Sequence, residues 1–280
     1  MTTKKFFIFT RGRTGSTAIV DELGKHPEIV TMQELFIQLE RSPRLAQAYK
    51  EHGKEFYKHI TFDQLILPYG AWVSQFLRFN FFLFELYVVP TAGLLTRKQL
   101  MNHYLEEAEK AALSAGEGER FGFKVLANHF VECPGLKELL KQRGYSVLYL
   151  ERENTFRQVI SGMVAQQRGV YNRKNYTPSE ASFVIDLDDF EMLVRIEQER
   201  VREEKEMLEK MGFDFEVITY EAFLSDREKF FTEISRFLDV PNVLPEGSEY
   251  TVMISSVEES VANYSELAAK VRSMGLGHML

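Results

Sequence analysis

A loop rich in glycine and hydroxyl side chains, near the start of the chain, has the residue types that bind a phosphate or sulfate group. It follows the apolar run 5–10 and comes directly before a helical pattern that ends at Gly24. In a strand–loop–helix arrangement, the loop N–H groups and the positive end of the helix dipole attract an anion. We therefore expect an anion site at Arg11, Gly12, Arg13, Thr14, Gly15, Ser16 and Thr17.

The residue after Gly15 argues against ATP or GTP as the ligand. In the G-x-x-x-x-G-K-[ST] loop of nucleotide triphosphatases, a lysine at this place reaches the β- and γ-phosphates. This chain has Ser16 there, and the cation within the loop is Arg13. The loop favours a ligand with one 5′-phosphate and one transferable group. Taken alone, it is also explained by an ordinary strand-to-helix turn with a surface arginine.

A second candidate pair follows another apolar run, at residues 145–150. Arg152 comes directly after this run, and Ser161 lies nine residues further on a predicted helix. An arginine can bind an anion through two N–H groups, and a serine hydroxyl can add a neutral donor. The pair indicates a second anion-binding group at the exit of a strand. Taken alone, the pair is better explained by a strand-exit arginine and an unrelated helix serine, because both are common.

The elements that must position these residues alternate between strands and helices. Strands are predicted at residues 5–10, 29–32, 121–126, 145–150 and 215–219. Helices are predicted to residue 23, at 134–143, after Asn154, at 189–211, and after capping boxes at Ser225 and Ser256. This pattern predicts an α/β fold, P-loop-like, with three α/β/α layers and a mostly parallel central sheet. Ligands then bind at the carboxyl ends of the strands.

The chain is expected to form a single domain over residues 1–280. Residues 36–118 are mostly helical in pattern, most clearly at 97–113, and interrupt the strand alternation as a helical insertion. The insertion leaves the sheet just after Glu34 and returns before Lys124. Acceptor or substrate choice is therefore expected in this segment.

Composition and charge exclude several classes of protein. The chain has 34 lysines and arginines against 41 aspartates and glutamates, a net charge of −7, which argues against a nucleic-acid partner. The one cysteine, Cys133, excludes a disulfide framework and fits a reducing compartment. The apolar stretch 65–95 is broken by charges and prolines, so we expect no transmembrane segment. No signal peptide is predicted either, which indicates a cytoplasmic protein.

Together, the two candidate anion sites resemble the motifs of sulfotransferases that use 3′-phosphoadenosine 5′-phosphosulfate (PAPS). Residues 13–17 resemble the 5′-phosphosulfate loop, and residues 150–161 resemble the 3′-phosphate motif. The sequence is most similar to the bacterial carbohydrate sulfotransferases of the trehalose and nodulation-factor types, with their Ala-Gln-Gln-like stretch at Ala165, Gln166 and Gln167. The resemblance covers the first 35 residues and most of residues 120–240, including the segments 121–124 and 218–221.

The resemblance implies PAPS as the sulfuryl donor, 3′-phosphoadenosine 5′-phosphate (PAP) as the product, and no metal. It implies cofactor contacts from the whole loop 11–17 together with Arg152 and Ser161. Sulfuryl transfer resembles phosphoryl transfer, with charge growing on the phosphate left behind. Arg13 and the N–H groups of residues 15–17 would stabilise that charge.

The resemblance also implies a base that deprotonates the acceptor hydroxyl. Glu34 matches the position of the glutamate base of the trehalose-type enzymes. The rival base is His129, placed where the cytosolic small-molecule sulfotransferases have a histidine. Lys124 either faces the sulfate or covers the end of its strand. Tyr220 and Glu221 are expected to cap a strand-to-helix junction rather than touch the ligand.

One segment departs from the family pattern. Nodulation-type enzymes carry a basic and polar Arg-Gln run before their last helix, whereas residues 251–255 here contain no positive charge. Weaker affinity for the 3′-phosphate would follow. Compensation by Arg157, Arg168 or Arg173 is the alternative.

The acceptor is expected to be a hydroxyl on a carbohydrate, glycolipid or other small amphipathic alcohol. Residues 76–87 are rich in phenylalanine and would form a lid around an apolar acceptor, the core between helices, a homodimer interface or a peripheral membrane contact. Two other functions stay open. The first is a P-loop small-molecule kinase with Glu151 as its metal-binding acid, and the second is a non-catalytic binding protein with the sulfotransferase fold.

Overall fold

A parallel sheet of five strands forms the centre of the protein. The computed structural model describes six stretches and one single residue: 4–37, 66–73, 97–115, 118–168, 182–250, 256–280 and 254. The strands are β1 (Lys4–Thr10), β2 (Ile29–Glu34), β3 (Arg120–Leu126), β4 (Ser146–Glu151) and β5 (Phe215–Thr219). Their order is β2-β3-β1-β4-β5, and every neighbouring pair is parallel. All five predicted strands and the α/β class are confirmed.

Helices cover both faces of this sheet. One face packs on α2 (Arg97–Ala115), α3 (Ala127–Glu132) and α4 (Leu136–Gln142). The other face packs on α1 (Ser16–Leu23), α7 (Tyr220–Ser225) and α8 (Arg227–Leu238). A strand buried on both faces needs an unbroken apolar run, which is why β1 reads Phe-Phe-Ile-Phe at its centre.

A third apolar cluster lies beside the sheet. It joins α5 (Thr155–Arg168), α6 (Leu187–Lys210), α9 (Val257–Ser260) and α10 (Tyr264–Ser273), with a short 3-10 turn at Gly277–Met279. An apolar stripe of α5 packs in this cluster, since Phe156, Val159, Ile160 and Val164 are buried and Met163 is partly buried. Asn154 caps this helix as predicted, because its side-chain oxygen accepts a hydrogen bond from the N–H of Arg157 at 2.9 Å.

Two helix starts differ from the prediction. The prediction that a capping box at Ser225 begins a helix is wrong, because an extra short helix, α7, follows β5 and ends at Ser225. Asp226 caps α8 instead, with its carboxylate accepting from the N–H of Lys229 at 3.0 Å. Ser256 caps its helix as predicted, but α9 has only four residues before the chain pairs at Val261 and continues into α10. His129, expected just after a strand, lies in the additional helix α3.

Part of the insertion packs on the sheet. The predicted helix 97–113 is confirmed as α2, and the hydroxyl of Tyr104 on α2 lies 3.2 Å from the Leu35 carbonyl and 2.9 Å from the Leu67 carbonyl. The phenylalanine-rich segment 76–87, Arg173 and residues 251–253 and 255 lie outside the described residues. The single domain and the extent of the insertion stay predictions. None of the helices in the described part is long and apolar enough to cross a bilayer.

Candidate functional site

The loop between β1 and α1 depends on Gly15. Arg13 and Gly15 both adopt left-handed backbone conformations, with φ of 68° and 72°. A Cβ atom on Gly15 would lie 2.2 Å from Cε2 of Tyr220, the first residue of α7. Glycine is therefore required here both for its conformation and for the close approach of the Tyr220 ring.

The start of α1 offers unpaired donors. The first N–H groups of a helix have no acceptor within that helix. The N–H groups of Gly15, Ser16 and Thr17 donate to no acceptor among the described residues, whereas the Gly15 carbonyl accepts from Ala18 at 3.1 Å. The Ser16 hydroxyl also has no hydrogen-bond partner in this part of the chain. These donors are available to a bound anion.

The first half of the loop is held by internal hydrogen bonds. Thr14 is 1% exposed, and its hydroxyl lies 3.1 Å from the Arg11 carbonyl and 2.6 Å from the Thr10 hydroxyl. Thr10 in turn donates to the Leu150 carbonyl on β4 at 2.8 Å. The Gly12 carbonyl accepts from the side chain of Gln158 on α5 at 3.0 Å. These bonds fix the loop against both β4 and α5.

The guanidinium of Arg11 lies in an ion-pair network with α6. It pairs with Glu197 and with Glu204, the latter at 2.6 Å between Nη1 and Oε1. The hydroxyl of Tyr149 donates to the same Glu204 carboxylate at 2.9 Å. Two carboxylates thus compensate the charge of Arg11, and its side chain anchors the loop to α6.

The structure brings together Arg13, Arg152 and Ser161. Nε of Arg13 donates to the Ser161 hydroxyl at 3.0 Å, and Nη1 of Arg152 donates to the Arg13 carbonyl at 3.0 Å. The two motifs therefore meet at the carboxyl ends of β1 and β4. The residues joined by these bonds are 148 and 139 positions apart in the sequence.

Arg152 retains a donor without an acceptor. Its guanidinium lies 4.9 Å from the centre of the Tyr220 ring, and its Nε lies 3.9 Å from Oε1 of Glu221. Nε is buried and has no hydrogen-bond partner among the described residues. Burial lowers the pKa of Arg152 from its ordinary value, although Tyr220 and Glu221 act in the opposite direction. A buried unpaired N–H on a cation is well suited to a second anion.

Glu221 caps the start of α5. Its carboxylate accepts from the N–H groups of Glu153 and Asn154 at 2.9 and 3.2 Å, and no ligand contact is needed to account for it. Tyr220 instead packs between Gly15 and Arg152. No sequence signal predicts this packing, because it depends on β5 lying next to β4.

A second cluster forms around Glu34, at the carboxyl end of β2. Glu34 pairs in register with Lys124 on β3, after a bulge between Met32 and Glu34. Lys124 is 2% exposed, and its Nζ lies 2.9 Å from Oε1 of Glu34 and 3.2 Å from the hydroxyl of Thr17. Lys124 therefore connects Glu34 to the first turn of α1.

Glu34 is held as an anion. Burial raises the pKa of its carboxyl, but the Lys124 ammonium and His129 outweigh burial and leave the pKa below its ordinary value. The side chain is 17% exposed, so the carboxylate is partly accessible. An ionised, accessible carboxylate next to an anion site can act as a general base.

His129 lies behind Glu34. Its ring is 1% exposed, Nδ1 accepts from the N–H of Leu126 at 3.2 Å, and Nε2 lies 3.7 Å from Oε2 of Glu34. Burial lowers the pKa of His129, against the opposing effect of Glu34 and Glu132. Both candidate bases are thus in one cluster, with Glu34 the more accessible.

Sequence reasoning missed Gln33, next to Glu34. Its amide nitrogen donates to the Thr17 carbonyl at 3.2 Å, and its amide oxygen is buried without a partner among the described residues. Neighbouring residues of a regular strand point to opposite faces, and the bulge brings Gln33 and Glu34 to the same first turn of α1. No sequence signal predicts a bulge at this place.

The acid required for the kinase alternative is already paired. Glu151, at the end of β4, lies 2.7 Å from Nζ of Lys205 on α6. In the described part of the chain, no three His, Cys, Asp or Glu side chains are arranged to hold a metal ion.

Similarity to known proteins is found among solved structures. No protein-family model and no curated protein matches the chain. Among solved structures, it is similar to a sulfotransferase from Alicyclobacillus acidocaldarius, with 17% identity, 98% of this chain and 96% of that chain covered, and a TM-score of 0.44. It is also similar to a sulfotransferase from Mycobacterium avium, with 12% identity, 98% and 76% covered, and a TM-score of 0.45.

Proposed function

We propose that the chain is a PAPS-dependent sulfotransferase that transfers a sulfuryl group to an alcohol. The observation that carries this proposal is the junction of two clusters at Thr17. On one side are the unpaired N–H groups of α1 and the Arg13, Arg152 and Ser161 group. On the other side is the ionised Glu34 with Lys124. The first cluster fits a donor with two anionic groups. The second fits an acceptor hydroxyl that is to be deprotonated.

The residues present fit the two anionic groups of PAPS. The N–H groups of Gly15, Ser16 and Thr17, with the Ser16 hydroxyl and Arg13, would hold the 5′-phosphosulfate. Arg152, with its buried unpaired Nε, and Ser161 would hold the 3′-phosphate. When bound, PAPS supplies a sulfuryl group on a phosphate leaving group. Arg13 and the start of α1 would stabilise the charge that develops on that phosphate.

Glu34 is the proposed base. One carboxylate oxygen, Oε1, is held by Lys124, and the other, Oε2, is left to accept the proton of the acceptor hydroxyl. With a pKa below its ordinary value, Glu34 is ionised at neutral pH, which is the form that accepts a proton. No metal is part of this proposal.

The acceptor is proposed to be a hydroxyl of a carbohydrate, glycolipid or other small amphipathic alcohol. The chain that leaves β2 after Glu34 forms an aromatic cluster at once, with the Phe36 ring 5.4 Å from Tyr69 and 5.5 Å from Tyr104. These three rings are buried in the core, so the proposal of an acceptor with an apolar part rests on the many phenylalanines of residues 76–87 in the sequence. A cytoplasmic location belongs to the proposal, since a sequence with one cysteine fits a reducing compartment.

Arg152→Ala is expected to weaken PAP binding about 10–100-fold, because it removes a charged hydrogen-bond partner of the 3′-phosphate. Binding of adenosine 5′-phosphate, which lacks that phosphate, should change little. Calorimetric titration of both ligands measures the difference, and Arg202→Ala, at an exposed arginine of α6, controls for the loss of a positive charge. Equal weakening of both ligands would remove Arg152 from this role.

A further inference from the structure

The neutral form of His129 has only one place for its proton. Nδ1 accepts a hydrogen bond from the N–H of Leu126 at 3.2 Å, so Nδ1 carries no proton. In a neutral ring, the proton is then on Nε2. Nε2 is buried and has no hydrogen-bond partner among the described residues.

The group that faces this N–H is the carboxylate of Glu34. Nε2 of His129 lies 3.7 Å from Oε2 of Glu34, about 0.5 Å beyond the usual upper limit of a hydrogen bond. The charged groups around the ring are Glu34 on β2, Lys124 on β3 and Glu132 on α3 itself. Burial and Lys124 oppose a second proton on the ring more strongly than the two carboxylates favour it.

A base role for His129 conflicts with this arrangement. The lone pair of Nδ1 is used by Leu126, and Nε2 already carries a proton. The ring is also 1% exposed, whereas the Glu34 side chain is 17% exposed and its Oε2 accepts no hydrogen bond from the described residues. An acceptor hydroxyl therefore reaches Glu34 before it reaches His129.

We propose that His129 is a positioning residue: a neutral ring whose Nε2–H, together with Lys124, holds Glu34 in place and ionised as the base. This inference rests on the proposed function and deepens it. Lys124 binds one carboxylate oxygen at 2.9 Å, and the Nε2–H of His129 faces the other from 3.7 Å, where its dipole attracts the carboxylate without a hydrogen bond. When Oε2 of Glu34 accepts the proton of the acceptor hydroxyl, His129 neither gains nor loses a proton.

The protonation state of His129 is tested first, in the free protein, by two-bond ¹H–¹⁵N correlation spectra of histidine-labelled protein. The chain has 6 histidines, and the His129→Gln spectrum assigns the signal. We expect a neutral ring with its proton on Nε2, staying neutral to a pH below the ordinary histidine pKa of about 6.5. A proton on Nδ1, or a charged ring at neutral pH, would overturn the proposal.

His26 is a matched control for these spectra. It is 4% exposed, its Nδ1 accepts from the N–H of Glu28 at 3.1 Å, and its Nε2 faces the Pro241 carbonyl at 2.9 Å rather than a carboxylate. Glu34→Gln removes the anion facing His129, so the pKa of His129 should fall further, while the His26 signal should not move. An unchanged His129 titration in Glu34→Gln would contradict the proposed contact.

Kinetics separate positioning from a base role or a purely structural role. His129→Gln keeps an N–H donor near Nε2, and His129→Leu removes it. We expect His129→Leu to lower kcat about 10–100-fold with a much smaller change in KM, and to move the acid limb of the pH profile upward. The His129→Gln variant should retain most of the wild-type kcat and a nearly wild-type acid limb.

Two other kinetic results would each reject the positioning role. Equal losses of about 10²-fold or more in both variants would make His129 the base. Wild-type kcat and pH profile in His129→Leu, with only a lower melting temperature, would make it structural. Failure of the proposed function is distinct from either, because wild-type protein would then transfer no sulfuryl group while the spectra still report the state of His129.

Discussion

Glu34→Gln is expected to lower kcat for sulfuryl transfer by about 10²–10⁴-fold, the usual contribution of a general base. Glutamine keeps the size of the side chain but does not take up the acceptor proton. The measurement is transfer from labelled PAPS to an alcohol acceptor, with PAP affinity followed by calorimetry. PAP affinity should be nearly unchanged, because the proposed phosphate ligands lie on the loop, at the start of α1, directly after β4 and on α5 rather than on β2.

The control for this variant is Glu132→Gln. Glu132 is a glutamate of α3 whose carboxylate accepts from the Asn128 side chain at 3.0 Å, and it is not among the groups that shift the pKa of Glu34. It should retain wild-type kcat. A Glu34→Gln protein that transfers at nearly the wild-type rate would show that Glu34 is not the base, and would overturn the proposed mechanism.

Gly15→Ala is expected to lower the free energy of unfolding by about 2–5 kcal/mol, from the strained left-handed backbone and from overpacking. The added Cβ would lie 2.2 Å from the Tyr220 ring, and that ring packs 4.9 Å from the Arg152 guanidinium. Displacing the ring therefore also disturbs the proposed 3′-phosphate ligand. Urea unfolding gives the stability, and PAP titration gives the binding loss.

Gly12→Ala in the same loop is the matched control for stability. Gly12 is exposed, and a Cβ atom there would meet nothing within 4 Å. Its free energy of unfolding should stay within about 0.5 kcal/mol of the wild type. If both alanine variants were equally stable, the close packing of Tyr220 on Gly15 would be wrong.

Much of the fold could be predicted because buried strands have a recognisable apolar sequence. Strands covered on both faces must be continuous apolar runs, and the runs before Arg11 and Arg152 identify β1 and β4. The glycine loop and the Asn154 cap are local signals, so they needed no knowledge of distant contacts. Local patterns also placed Arg13 and Arg152 after strands and Ser161 on the helix that follows Arg152, and the fold brings the three together.

The partners of the site residues were not predictable in the same way. Arg11 was expected to contact the ligand, but its guanidinium pairs with two carboxylates of α6. These carboxylates belong to residues about 190 positions later in the sequence. The contact of Glu34 with Lys124 requires both the pairing of β2 with β3 and a bulge next to Gln33. The packing of Tyr220 requires β5 at the edge of the sheet. Such contacts depend on strand order, which single residues do not encode.

The most direct test of the central claim is calorimetric titration of the wild-type protein with PAP in the absence of metal, with ADP plus magnesium as the comparison. The arrangement of Arg13, Arg152, Ser161 and the unpaired N–H groups of α1 predicts tight binding of PAP without metal and weak binding of ADP with magnesium. A preference for ADP and magnesium would contradict the account and would favour a kinase.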